Sequence, residues 1–111
     1  MRKRVVITGM GTINPLGNDV SLFWEGLVAG RSGAGPITAY DASDQAVRIA
    51  GEVKGFDPVA HFGPKQARRS DRFSQLAMFA ADQAVADAGL NFNNNGSNPH
   101  VGIIVGTGIG G

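Results

Sequence analysis

Val101-Gly102-Ile103-Ile104-Val105-Gly106-Thr107-Gly108-Ile109-Gly110-Gly111 closes the chain, and its reading decides the fold. It starts as a nearly unbroken apolar run and then breaks into glycines. An apolar run bounded by turn residues reads as a strand covered on both faces, as in parallel sheets. Such a strand needs a neighbour on each edge and a layer on each face. The sequence stops inside the glycine loop, where a buried terminus would strand a carboxylate and unpaired backbone groups. The expectation is that these residues open a longer fold.

Working outward, Arg4 to Gly9 reads as a first strand, because Val5, Val6 and Ile7 are consecutive and β-branched. Gly9, Gly11, Pro15 and Gly17 then form a turn-rich connection. Val20, Phe23, Trp24, Leu27 and Val28 repeat at helical spacing. Asn18 or Asp19 can cap that helix and Gly30 can end it. Gly30 to Ala46 is loop-like in composition, and a connection of that length usually carries function or minor structure of its own. Val47 to Val53 alternates as a half-exposed strand, with Val47, Ile49 and Val53 on one side and Arg48 and Glu52 on the other. A long helix follows, striped by Phe73, Leu76, Ala77, Ala80, Ala81, Ala84 and Ala88 and ended by Gly89. Its small residues suit close packing, so it should be central. Asn91 to Pro99 reads as a polar turn. The order is strand, helix, exposed strand, helix, buried strand: an α/β pattern with right-handed crossovers.

Bulk properties narrow the function. With 111 residues the chain is one domain at most. A net charge of +1 gives no global field for nucleic acid. The absence of Cys removes a disulfide framework, a thiolate metal site and a Cys nucleophile from these residues. No segment is apolar for long enough to be a signal core or a membrane span, so a cytoplasmic protein without membrane contact is the default.

Four features could carry chemistry. Thr8-Gly9-Met10-Gly11 after a strand suggests a dinucleotide-binding turn. But the G-x-G-x-x-G register puts Asn14 on the third Gly, and the T-G-x-x-x-G register puts Ile13 on its last, so a plain strand-to-helix turn is the better reading. In the closing glycine loop, Ile109 is a single bulky residue among glycines and could line a cavity where backbone runs close to a ligand. Lys65, Arg68, Arg69 and Arg72 share one helical face, a solvated surface partly paired with Asp71 or a docking patch for an acidic partner. Leu76 and Phe79 would continue that face, so the helix should break near Ser70 and leave the cations on a short separate turn. His61 and His100 are isolated, lack metal-pair spacing and read as surface residues. No acid–base or nucleophilic constellation assembles.

Taken together, ordered segments resemble one family. Arg4-Val5-Val6-Ile7-Thr8-Gly9-Met10-Gly11 with Asn14-Pro15-Leu16-Gly17 is similar to the opening of the β-ketoacyl-acyl carrier protein synthases. Phe23-Trp24, Leu27 to Gly33, Tyr40-Asp41-Ala42-Ser43, Ile49 to Val53, Arg68 to Phe73 and Gly106 to Gly111 continue the likeness in the same order. The elongating type II synthases are most similar, and polyketide ketosynthases share much of the pattern. The resemblance implies a thiolase-like layered α/β fold, of which residues 1–111 are the first part of the N-terminal half, incomplete at the C-terminal end. It implies a homodimer that condenses an acyl chain with malonyl-acyl carrier protein. Phosphopantetheine would arrive on the carrier protein, with no resident cofactor or metal. The family's nucleophilic Cys and two His would lie beyond Gly111, and His61 and His100 match none of them. This stretch therefore has no catalytic residue to carry over and should be inactive alone. Two features do transfer: Ile109 to the bottom of the acyl pocket, and Lys65, Arg68 and Arg69 to the surface that meets the acidic carrier protein. A dehydrogenase's NAD(P)-binding domain and a non-catalytic carrier-binding module are the alternatives.

Overall fold

A computed structural model describes residues 1–92 and 98–111. These form two compact units, Thr12–Asp57 and the combination of Met1–Gly11 with Pro58–Gly111.

The Thr12–Asp57 unit is built around a tight turn. Asn14 and Gly17 exchange both backbone hydrogen bonds, at 3.0 and 3.1 Å, with Pro15 and Leu16 at the tip. The Asn14 side chain accepts from Leu16 N–H at 2.9 Å and donates to Thr12 Oγ1 at 3.0 Å. The tip packs onto glycines. A Cβ at Gly33 would stand 2.8 Å from Pro15, and one at Gly26 would stand 3.1 Å from Leu16. Gly26 is the buried residue of helix α1, Val20–Val28. Asp19 caps α1, its Oδ1 accepting from Leu22 N–H at 2.8 Å. Asn18, the other candidate cap, instead donates to the Lys54 carbonyl at 2.8 Å. Gly30 has φ 65°, Gly30 N–H bonds Leu27 O and Arg31 N–H bonds Gly26 O, the pair of bonds that closes a helix through a left-handed residue. In the apolar stripe of α1, Trp24 is 65% exposed and only Val20 and Phe23 are half-buried.

The long loop does carry structure. β1, Ala34–Pro36, pairs antiparallel with β2, Ile49–Gly51, with Gly35 opposite Ala50. The alternation expected over Val47–Val53 is kept only in part: Val47 and Ile49 are exposed and Ala50 and Glu52 are partly covered, but Val53 is partly covered too. Glu52 is held there by polar contacts. Its carboxylate accepts from Thr38 N–H at 3.0 and 3.1 Å, Thr38 Oγ1 at 2.8 Å and Ala39 N–H at 2.9 Å, and pairs with Lys54.

The other unit holds α2, Pro58–Phe62, α3, Pro64–Arg69, and α4, Arg72–Asp87. The small-residue face of α4 does the close packing expected of it. A Cβ at Gly9 would stand 2.3 Å from Ala84 O, and one at Gly11 would stand 2.0 Å from Ala80 O. Met10 N–H donates to Asp87 Oδ2 at 2.9 Å, fastening the same segment. α4 ends as α1 does, with Gly89 at φ 65° and bonds from Gly89 N–H to Ala86 O and from Leu90 N–H to Val85 O.

The two buried strands expected at Arg4–Gly9 and Val101–Val105 do not form a ladder here. Val5 is 94% exposed and Ile104 is 99% exposed. The composition suits strands, but a parallel strand is stable only between partners, and no described residue offers either segment an edge. Residues 93–97, the centre of the polar turn expected at Asn91–Pro99, lie outside the described residues.

Candidate functional site

The cations of Pro64–Arg72 sit where the helix breaks. Gly63, at φ 80°, turns the chain out of α2, and Pro64 opens α3 at a position where its missing N–H costs nothing. Ser70 is extended, at φ −120° and ψ 134°, so α3 stops after Arg69 and α4 starts afresh at Arg72. The break near Ser70 is the one the sequence requires, since one continuous helix would set Leu76 and Phe79 on the cationic face. Arg68 and Arg69 occupy the last turn of α3, where positive charge meets the carbonyl end of the helix.

Lys65, Arg68 and Arg69 are exposed. None has a carboxylate partner among the described residues. The pairing expected with Asp71 is absent: Asp71 stands at the N-terminus of α4, against the backbone of Gly111. Arg68 Nε donates to the Pro64 carbonyl at 3.3 Å, which braces the stem of that side chain along α3. The result is a compact turn with three unneutralised cations, able to hold an acidic surface by charge.

Two anchors locate this turn, and the sequence reading missed both. Gln75 is 7% exposed and reaches back from the first turn of α4. Its Nε2 donates to Ala67 O and to Ser70 O, each at 2.9 Å. The signal was available in principle. A helix ending at Arg69 leaves carbonyls without partners, and a long amide one turn into the next helix is a suitable donor. The second anchor is His61, which is exposed as the sequence implies but not isolated. Its Nε2 lies 3.0 Å from Asp82 Oδ2, and its ring meets Phe62 and Phe79 edge-on at 4.5 and 4.7 Å. It ties α2 to α4. No spacing rule links positions 61 and 82, so only the fold reveals that pair.

The remaining sequence candidates do not join this turn. Ile109 is fully exposed in its loop, whose neighbour Gly110 stands 3.6 Å (by its would-be Cβ) from the Phe73 ring. His100 is exposed. Gly9 and Gly11 are occupied by the backbone of α4, which accounts for their being glycine without a nucleotide. A recess of about 230 Å³ lies between the Asn14–Gly17 turn, Leu22 and Lys54, but its one charged group, Lys54, is engaged by Glu52. Glu52 is held down to about 2, first by Lys54 and then by its Thr38 and Ala39 donors. Asp41 is lowered as well, chiefly by the backbone N–H of Ser43. Both are carboxylates kept charged by local structure, the opposite of what a general acid at neutral pH requires. Among the described residues no cluster of three metal-ligating side chains occurs.

Residues 2–111 match the family described as beta-ketoacyl synthase, N-terminal domain. The chain belongs to the β-ketoacyl synthase family. This synthase segment is 50% identical over 110 residues to 3-oxoacyl-[acyl-carrier-protein] synthase 2 of Synechocystis, covering 99% of this chain and 26% of that protein. The protein of the same name from Coxiella burnetii is 49% identical over 110 residues, again 99% of this chain and 26% of the relative. Among solved structures, the ishigamide ketosynthase/chain length factor aligns with a TM-score of 0.73 and 42% identity, over 85% of this chain and 23% of that one. The synthase segment therefore spans about a quarter of the length of the relatives it matches. No helix among its described residues is long and apolar enough to cross a membrane.

Proposed function

We propose that these residues are the N-terminal part of an elongating 3-oxoacyl-acyl carrier protein synthase of fatty acid synthesis, with the thiolase-like layered fold of that family. The observation that carries this is identity of 50% and 49% over 110 residues, 99% of the segment, with proteins named 3-oxoacyl-[acyl-carrier-protein] synthase 2. In the reaction, an acyl group held as an enzyme thioester is attacked by the carbanion that malonyl-acyl carrier protein forms as it loses CO2. The new carbon–carbon bond expels the enzyme thiol and leaves 3-oxoacyl-acyl carrier protein. With no Cys, residues 1–111 supply no acyl acceptor themselves. Their part is recognition and shape. Lys65, Arg68 and Arg69 meet the acidic carrier protein, setting its encounter rate and orientation. Ile109 stands at the end of the acyl pocket, where its size limits chain length. The phosphopantetheine arm comes with the carrier, and the whole enzyme works as a cytoplasmic homodimer.

The alignment with a ketosynthase/chain length factor supports a second reading, an enzyme of polyketide assembly. The test is to read the gene past the codon for Gly111, express the complete open frame, and supply acyl- and malonyl-acyl carrier protein. Stoichiometric CO2 release with a two-carbon-longer 3-oxoacyl product supports the fatty acid reading. Multiple unreduced extensions would support the second. No condensation with either carrier would sink both.

A further inference from the structure

We propose that Gln75 is a positioning residue for the carrier-protein contact: its buried side-chain amide holds the end of α3 so that Arg68 and Arg69 face the partner together. The inference rests on the docking role proposed above for that turn. α3 has six residues, well below the roughly 12–15 at which a helix stands alone in water. Its placement must therefore come from outside. Gln75 is the buried polar side chain among the described residues. Both of its recorded amide bonds leave its own helix and end on carbonyls at the close of α3, Ala67 O and Ser70 O, at 2.9 Å each. Two carbonyl acceptors fix the orientation of the amide, since only the NH2 side can face them. The bonded carbonyls bracket Arg68 and Arg69 in sequence. Ser70 contributes a local brace, its Oγ donating to Gln66 O at 3.1 Å, but that bond lies within the turn and cannot set its direction. Without the amide, the last carbonyls of α3 would turn to water and the two guanidinium groups would be spread over many orientations. Charge would remain and alignment would be lost.

The test uses the complete enzyme encoded by the open frame in three forms: wild type, Gln75→Met, and Arg68→Glu/Arg69→Glu. Met keeps the length and volume of Gln and removes both donors. Each form is titrated with holo-acyl carrier protein over a series of salt concentrations, with the Arg side-chain Nε–H signals and α4 amide exchange followed by NMR. Gln75→Met should bind about three- to tenfold more weakly, the size of two exposed charge pairs losing alignment. Its salt dependence should be shallower, and the Arg68 and Arg69 signals should no longer shift on binding, while α4 keeps wild-type protection. A role confined to stability would not alter the salt dependence of the folded chain. Wild-type affinity and salt dependence in Gln75→Met, beside lost binding in the double charge reversal, would overturn the positioning role and leave the docking reading intact. Normal binding by the double reversal would overturn both. Loss of α4 protection in Gln75→Met would assign the weakening to the fold and also overturn the proposal.

Discussion

Gly11→Ala should detach the N-terminal segment from α4. The added Cβ would stand 2.0 Å from the Ala80 carbonyl oxygen and 2.7 Å from Ala84 N. Both are backbone atoms inside a 16-residue helix, so neither can turn aside. Ordinary contact needs roughly 3.5 Å between heavy atoms, so the segment must retreat by roughly 1 Å or more. That retreat breaks the 2.9 Å bond from Met10 N–H to Asp87 Oδ2. Overpacking costs about 1–3 kcal/mol and an exposed hydrogen bond about 0.5–1.5 kcal/mol, so the expected loss is about 2–4 kcal/mol. If the segment lets go before the rest unfolds, the loss is capped by the free energy of letting go. Two readouts separate these cases: the denaturant midpoint, and exchange of the Met10 amide. Gly35→Ala is the control. Its Cβ would meet nothing within 4 Å, and its backbone is not in the left-handed region. It should be neutral or stabilising by about 0.4–1 kcal/mol through the unfolded chain. Wild-type stability and a still-protected Met10 amide in Gly11→Ala would refute the account of why those glycines are there.

Other outcomes follow from the same contacts. The Glu52 carboxyl should titrate near 2 by NMR, and because its folded value is lowered, its contribution to stability is complete above pH ~4.5 and is lost as pH falls toward 2. A midpoint at the ordinary carboxylate value would mean that the Thr38, Ala39 and Lys54 clasp does not hold in solution. Asp19→Ala removes the acceptor for Leu22 N–H and should cost about 1 kcal/mol, seen as lower helicity in α1 by amide shifts; unchanged shifts would exclude a capping role. With Val5, Ile7, Ile103 and Ile104 exposed, the chain should associate as its concentration rises, and sedimentation showing a pure monomer at high concentration would contradict that.

What the sequence made legible is mostly helical. α1 and α4 have strong 3.6-residue patterns, and Gly30 and Gly89 mark their ends because only a residue at ease at positive φ closes a helix that way. The break at Ser70 was legible because a cationic face and an apolar face cannot share one helix surface. The strands were less legible. Val5–Ile7 and Val101–Val105 carry the composition of buried strands, yet pairing is a property of the partner as well as of the segment. At Val47–Val53 the apolar alternation was a partial guide to exposure, because Glu52 gathers donors from Thr38 and Ala39 across the hairpin and is partly covered there. At the candidate site the cations were visible and their supports were not. Gln75 lies in a polar gap of the α4 pattern, and its meaning depends on where Ala67 and Ser70 place their carbonyls.

The most direct test of the central claim is a binding titration of the chain with holo-acyl carrier protein at low and high salt. Saturable association is expected at low salt, centred on α3, weakening steeply as salt rises because the contact is between exposed charges. Absence of binding at low salt, or binding that is indifferent to salt and to Arg68→Glu/Arg69→Glu, would contradict it.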